Sequence, residues 1–259
     1  MKYIRFLYQG VPVSGEVDGE TVYLLHGTPF DRFLGRPIER GPGVGILQQL
    51  TILPPCLPGK VIAAARNWRR PDRPRPEVPE FFMKPPNSVI AHLDNIIYPK
   101  MSQEVIHEAE VGIIIGQTTK EVSIDDAPSC ILGYTCANDV TADDLIAQDR
   151  LPMRGKAFDT FCPLGPVIVT DLDPSDLRIT CRVNGEVRQS ASTAGLWFGV
   201  YEMVSFLSQI TTLLPGDVVL TGTPPGLGPL NIGDTVEVEV GGIGVLRNHV
   251  VAPSIRGAS

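Results

Sequence analysis

The sequence predicts a mainly β fold with few helices. Three observations carry that expectation. β-branched runs of four to seven residues, bounded by glycine or proline, recur from residue 61 to residue 251. The first fifty residues alternate apolar and polar side chains with glycine at the turns, and only two stretches show helical spacing.

In chain order, "KYIRFLYQG", "VPVSGEVDG" and "TVYLLHG" read as a small antiparallel sheet. "LPPCLPGK", 53 to 60, is a proline-rich joint, which predicts a small N-terminal β domain over 1–52 and a larger domain over 53–259. Strands are expected at 61–65, 111–115, 166–170, 180–183, 217–221, 235–240 and 245–251. "VNGEVRQ" is most simply an Asn-Gly hairpin turn. The two expected helices are "SIDDAPSCILGY", where Ser123 or Asp125 can cap, and "WFGVYEMVSFLSQIT", whose apolar residues recur at helical spacing.

Composition excludes several function classes. A formal net charge of -7 argues against a nucleic-acid partner, which needs a clustered positive surface. The one basic cluster, "RNWRRPDRPR", is rich in proline and reads as a solvated loop. No run approaches the roughly 20 apolar residues of a membrane span, and the start "MKYIRFLYQG" lacks a signal-peptide pattern. Five cysteines, odd in number and without paired metal-ligand spacing, point to reduced thiols in a cytoplasmic protein.

The chemistry begins at "HEAEVGIIIG". Glu108 and Glu110 stand two residues apart at the mouth of a buried strand, so alternation turns both to one face. Two carboxylates so placed repel unless a positive group lies between them, and a divalent cation would serve. Alternation turns His107 the other way. Asp139 follows a strand-like run in "CANDVTADD", and Lys156 sits among small and aromatic residues, where burial or a metal would lower an amine's pKa. "LLPGDVVLTGTPPGLG" ends a strand in a Gly and Pro loop of the kind that approaches a ligand closely.

Taken in order, Glu-x-Glu before a glycine-bounded strand, "GYTCANDVTA", "KAFDTFCPLGP", "VNGEVRQ", "TLLPGDVVLTGTP" and "GIGVLRNHVV" resemble the fumarylacetoacetate hydrolase family, in its bacterial branch of 2-hydroxyhepta-2,4-diene-1,7-dioate isomerases and acylpyruvases. The resemblance covers residues 53 to 252, and the first fifty residues look like the small β domain many members carry. It implies a rolled mixed β-sheet, a Mg²⁺ or Mn²⁺ cofactor and a homodimer. It makes Glu108, Glu110 and Asp139 the metal carboxylates, a hard-oxygen set that suits Mg²⁺. It makes Lys156 the catalytic residue beside the metal, and Thr223, Thr160 and Lys84 substrate-binding residues. For Lys156 the alternative role is a charge partner of the metal carboxylates, for Thr223 a turn residue, and for Lys84 a structural surface lysine.

The chain also departs from the family pattern. Members that hydrolyse usually carry a histidine, and a glutamate three residues later, on a short lid helix after the strand equivalent to "VIAAARN". "NWRRPDRPRPEVPEFF" has no histidine, and Pro71 stands about where it would be. Glu77, Glu80 or His92 are the candidates to replace that base. The family's "TARD" is here "TADDLI", with Asp143 for the arginine and Ile146 for a nearby glutamine, which predicts a less anionic substrate. The expected function is metal-dependent enolate chemistry on a small 2-oxo acid or 1,3-dicarbonyl compound: isomerisation or tautomerisation, dehydration, decarboxylation or C–C hydrolysis, with the non-hydrolytic outcomes favoured. The alternative is a non-catalytic homologue that keeps the metal as a scaffold or binding subunit.

Overall fold

The computed structural model describes residues 1–253, so the last six residues of the expected larger domain lie outside the described residues. The fold is mainly β, as expected, and its strands form mixed sheets. The N-terminal meander of Lys2–Tyr8, Val11–Asp18, Thr21–His26 and Glu39–Ile46 does not stand apart in hydrogen bonding. Its first strand pairs antiparallel with Cys162–Val169, with Lys2 opposite Val169. The same sheet continues through Ile131–Asn138, Ala109–Ile115, Val218–Leu220, Val61–Ala65 and Glu80–Lys84. Val218–Leu220 and Val61–Ala65 run parallel, which makes the sheet mixed.

A second sheet, of five strands, orders Glu186–Ser192, Arg178–Val183, Thr235–Val240, Gly244–Val251 and Asn95–Ile97. Asn184 and Gly185 both take positive φ, at 52° and 82°, so the Asn-Gly turn joins the first two of these strands as expected. The strand Ala109–Ile115 is buried along its whole length, because it lies inside the large sheet between Ile131–Asn138 and Val218–Leu220. That explains the uninterrupted apolar run after Glu110.

The helix α3, Val200–Ile210, matches the second helical expectation and buries Val200, Met203, Val204 and Leu207. The first expectation is corrected. Over "SIDDAPSCILGY" the chain makes only a 3₁₀ turn, Ala127–Cys130, and then enters the strand Ile131–Asn138. Pro128 has no N–H to continue a helix, and Ile131 and the residues after it find ladder partners on both sides. Two short helices went unforeseen: α1, Asp143–Asp149, and α2, Met153–Lys156. Neither has a side-chain N-cap bond, and both are too short to show periodicity. All five cysteines are free and buried. No helix of the described residues is long and apolar enough to cross a membrane.

Candidate metal centre

Pairing of two adjacent strands brings the three carboxylates together. Ala109 lies opposite Asn138, so Glu108 and Glu110 flank the point where the neighbouring strand delivers Asp139. The Asp139 N–H donates to the Glu108 carbonyl at 2.9 Å, and the Glu108 N–H donates to Asn138 Oδ1 at 2.9 Å. One oxygen from each of Glu108, Glu110 and Asp139 falls within 4.8 Å of the others. Glu110 and Asp139 are buried, and the Glu108 side chain is 13% exposed.

Two lysines hold this cluster. Lys156, at the end of α2, places Nζ 2.6 Å from Asp139 Oδ2 and 3.0 Å from Glu108 Oε2, with the Phe82 ring 4.9 Å beneath it. Lys84 places Nζ 2.5 Å from Asp139 Oδ1 and donates to the Val140 carbonyl. Thr141 Oγ1 lies 3.0 Å from Glu108 Oε1. The Gly222 N–H donates to Glu110 Oε2 at 2.6 Å. Glu110 Oε1, buried, has no hydrogen-bond partner.

The electrostatics follow from burial and neighbours. Burial pushes the Glu110 carboxyl well above its ordinary value, and Asp139 and Glu108 add to the rise. Burial also raises Glu108 against the pull of Lys156. For Asp139 burial is outweighed by Lys156 and Lys84, which hold its carboxyl below the ordinary range. Lys156 reverses the expectation of a lowered amine. Burial works in that direction, but Asp139 and Glu108 outweigh it and hold the ammonium above the ordinary lysine value. Two ammonium groups offset two of the three carboxylates and leave Glu110 uncompensated.

These residues fit a hard divalent cation. The donors are all carboxylate oxygens, each with a lone pair left after its hydrogen bond. The orphaned Glu110 Oε1 is the kind of buried polar atom that native folds leave unpaired only for a reason.

The cluster opens into a cavity of about 850 Å³, lined at its inner end by Glu108, Lys156, Thr223 and Phe82. Of the expected substrate residues, Thr223 reaches this cavity. Its Oγ1 donates to the Ala109 carbonyl at 3.0 Å and accepts from Gln189 Nε2 at 2.8 Å. Thr160 goes elsewhere: its Oγ1 accepts the Ile97 N–H at 2.9 Å, and it does not line the cavity. Lys84 is fully buried against Asp139 and does not line the cavity either, because the ion pair consumes its ammonium.

The replacement-base candidates also separate. Glu80 lines the cavity but is paired with Arg66. Glu77 does not line it, and His92 Nδ1 accepts the Arg247 N–H at 3.0 Å away from the site. His107 Nδ1 donates to Gln189 Oε1 at 3.1 Å and takes no part in the carboxylate cluster.

Gln189 is the residue that reading by pattern missed. Its Oε1 accepts from Ala109 N as well as His107, and its Nε2 bonds Thr223 and the Pro224 carbonyl. It thereby ties the strand carrying Glu110 to the "TGTPPG" loop. The available signal was "VNGEVRQ", read as a turn and as one motif of the family resemblance, with no role given to its glutamine. Trp68 and Gly222 form a second tie: Trp68 Nε1 donates to the Gly222 carbonyl at 2.8 Å, while the Gly222 N–H reaches Glu110.

Residues 60–251 match the family model described as Fumarylacetoacetate (FAA) hydrolase C-terminal, and residues 1–55 match one described as Rv2993c-like, N-terminal. The bovine (Bos taurus) protein "Oxaloacetate tautomerase FAHD2A, mitochondrial" is 41% identical over 220 residues, covering 78% of this chain and 70% of its own. A crystal structure of 5-carboxymethyl-2-hydroxymuconate delta-isomerase from Mycobacterium smegmatis superposes with a TM-score of 0.90 at 40% identity, over 98% of this chain and all (100%) of that one. Maleylpyruvate hydrolase from Sphingobium sp. SYK-6, in complex with manganese(II) and pyruvate, gives a TM-score of 0.80 at 27% identity, over 98% and 100% of the two chains.

Proposed function

The chain belongs to the fumarylacetoacetate hydrolase family of enzymes, and on that premise we propose that Glu108, Glu110 and Asp139 hold one Mg²⁺ or Mn²⁺ for enolate chemistry on a small 2-oxo acid or 1,3-dicarbonyl compound. The observation that carries the reading is Glu110 Oε1, a buried acceptor without a partner inside a cluster of three carboxylates. The manganese in the maleylpyruvate hydrolase relative supports a divalent metal here. When bound, such a cation supplies Lewis-acid polarisation of a carbonyl oxygen.

The protein's own part is proton handling and positioning. Lys156 lies where the carboxylate cluster meets the cavity, and its ammonium is the proton carrier at the inner end. In a keto–enol exchange the C3 carbon gains a proton from Lys156 Nζ while the enol hydroxyl gives one up to restore the ammonium. Atoms balance with no co-substrate. Thr223, oriented by Gln189, is the hydroxyl beside the substrate.

Tautomerisation or isomerisation is favoured over C–C hydrolysis. Hydrolysis needs a base to activate water, no histidine lines the cavity among the described residues, and Glu80 is tied up by Arg66. A tautomerase and an isomerase among the relatives support that choice. A homodimer in the cytoplasm belongs to the same proposal, supported on the second count by five unpaired thiols.

The test is a paired assay with Mg²⁺ present: deuterium exchange at C3 of small 2-oxo acids, and acylpyruvate cleavage. Exchange in wild type that falls at least about a hundredfold in Lys156→Ala is expected, with cleavage weak or absent. Exchange indifferent to Lys156→Ala would remove the lysine from the mechanism, and fast cleavage would restore hydrolysis.

A further inference from the structure

Leu227, on the lining of the cavity above the carboxylates, also lines a second cavity of about 340 Å³. The hairpin of Arg178–Val183 and Glu186–Ser192 contributes Val183 and Arg188 to it, and the chain after Thr223 contributes Leu227, Gly228 and Pro229. His107 is the only buried polar residue on this lining.

Hydrogen-bond polarity fixes what His107 offers there. Gln189 Oε1 lies 3.1 Å from the Ala109 nitrogen, which can only donate, and Gln189 Nε2 lies 2.7 Å from the Pro224 carbonyl oxygen, which can only accept. The amide therefore has one allowed orientation, with Oε1 as the acceptor. His107 Nδ1, 3.1 Å from that oxygen, must carry a proton and donate it. Cys181 Sγ, 3.4 Å from the same nitrogen, is left as a weak acceptor. In a neutral imidazole so oriented, Nε2 presents a bare lone pair. It has no hydrogen-bond partner among the described residues, and His107 is 1% exposed. A Cβ added at Gly228 would lie 3.8 Å from Nε2, so this lone pair faces the side on which Gly228 lines the cavity.

The charged groups of the lining already have partners. Arg188 pairs with Glu186 at 2.9 Å, and Asp234 accepts from Asn184 Nδ2 at 2.8 Å and from the Asn231 N–H at 2.7 Å. One guanidinium and one carboxylate also leave the lining without net charge, so an ion gains no advantage in it. Val183, Leu227 and Pro229 supply apolar surface. An aromatic ring with one hydroxyl meets both demands: it buries an apolar face, and its O–H satisfies an acceptor that is costly to leave unpaired.

We propose that this cavity is a second binding site, for a small uncharged phenol that donates its O–H to His107 Nε2. The site is separate from the carboxylate cluster, so no turnover enters its test.

The test is a nuclear magnetic resonance titration of the full chain, with its histidines labelled with nitrogen-15, at pH 7.5 in the presence of Mg²⁺. The probes are phenol and toluene, which has the same shape with a methyl group in place of the hydroxyl. Phenol is expected to bind at least about tenfold more tightly than toluene, although toluene is the more apolar, and to shift the His107 Nε2 resonance as an imidazole nitrogen shifts on accepting a hydrogen bond. Gly228→Ala places a methyl group in ordinary van der Waals contact with Nε2 and meets no other non-neighbouring residue within 4 Å. It is expected to weaken phenol binding at least about tenfold and leave the melting temperature unchanged. Toluene binding as tightly as phenol, a His107 Nε2 resonance that phenol leaves in place, or phenol binding indifferent to Gly228→Ala overturns the proposal. Binding of neither probe up to its solubility means that the cavity holds water only, and overturns it as well. The wild-type comparison decides even if Gly228→Ala fails to fold.

Discussion

Lys84 Nζ and Asp139 Oδ1 form an ion pair, 2.5 Å apart, with side chains 0% and 1% exposed. Lys84 comes from the strand Glu80–Lys84 at the edge of the large sheet, and Asp139 from the turn after Ile131–Asn138. The pair therefore ties the sheet edge to the centre of the site. Removing this cation alone leaves Asp139 with only Lys156, which it shares with Glu108, so one ammonium faces three largely buried carboxylates. Lys84→Met is expected to cost about 3–5 kcal/mol, and Lys84→Met with Asp139→Asn should recover a large part of it. Thermal unfolding of the two variants without added metal checks this. A lysine that served only the substrate would change KM and leave the unfolding temperature in place.

Glu110→Gln separates binding from stability. The substitution removes the charge that burial most opposes and keeps an acceptor for the Gly222 N–H. Mg²⁺ and Mn²⁺ affinity should fall at least about a hundredfold, while the metal-free protein unfolds at the same or a higher temperature at neutral pH. Calorimetric titration and a melting curve of the same sample decide it. Unchanged metal affinity would sink the assignment of Glu110 as a ligand.

The raised pKa of Glu110 gives a pH dependence with a definite sign. A carboxyl raised in the folded state binds more protons folded than unfolded, so this group's contribution to stability is lost as pH rises from the ordinary glutamate range toward its folded value. Metal binding competes with that proton. The rise in melting temperature produced by Mg²⁺ should therefore be small near pH 5 and larger at pH 7.5. Melting scans with and without Mg²⁺ at the two pH values test this; a gain that shrinks with rising pH would contradict it.

Gly222 has φ of +87°, and an added Cβ would lie 3.2 Å from the Ala64 carbonyl oxygen and 3.3 Å from Asn67 Cβ. Its N–H serves Glu110 and its carbonyl serves Trp68. Gly222→Ala should destabilise by about 1–3 kcal/mol and weaken metal binding, because the backbone cannot keep both bonds while making room. Melting temperature and metal titration should move together. A drop in one without the other would show that the two ties are independent.

The carboxylate cluster was legible because its cause is local. Two glutamates at period two before a wholly apolar run need a cation wherever the strand goes, and the order of later motifs supplied Asp139 and Lys156. The same local logic located the strand Val61–Ala65, the Asn-Gly turn and α3. It failed at "SIDDAPSCILGY", where ladder partners on both sides of Ile131–Asn138 outweighed a helical start.

What the sequence by itself determined is the β-rich class, the family resemblance and the residues of the acidic cluster, since alternation, glycine-bounded runs and motif order are properties of neighbouring residues. Only the tertiary structure decided which polar groups meet. Lys84 and Asp139 are 55 positions apart, and Gln189 and Ala109 are 80 apart. Arg75 and Arg150 enter one cavity from separate elements. Side chains so far apart along the chain carry no mutual signal in its local pattern, because strand pairing and the packing of α1 set their distance. Asp143 is a case of the same kind: it is exposed and off the cavity lining, while Arg150 at the other end of its helix is on it.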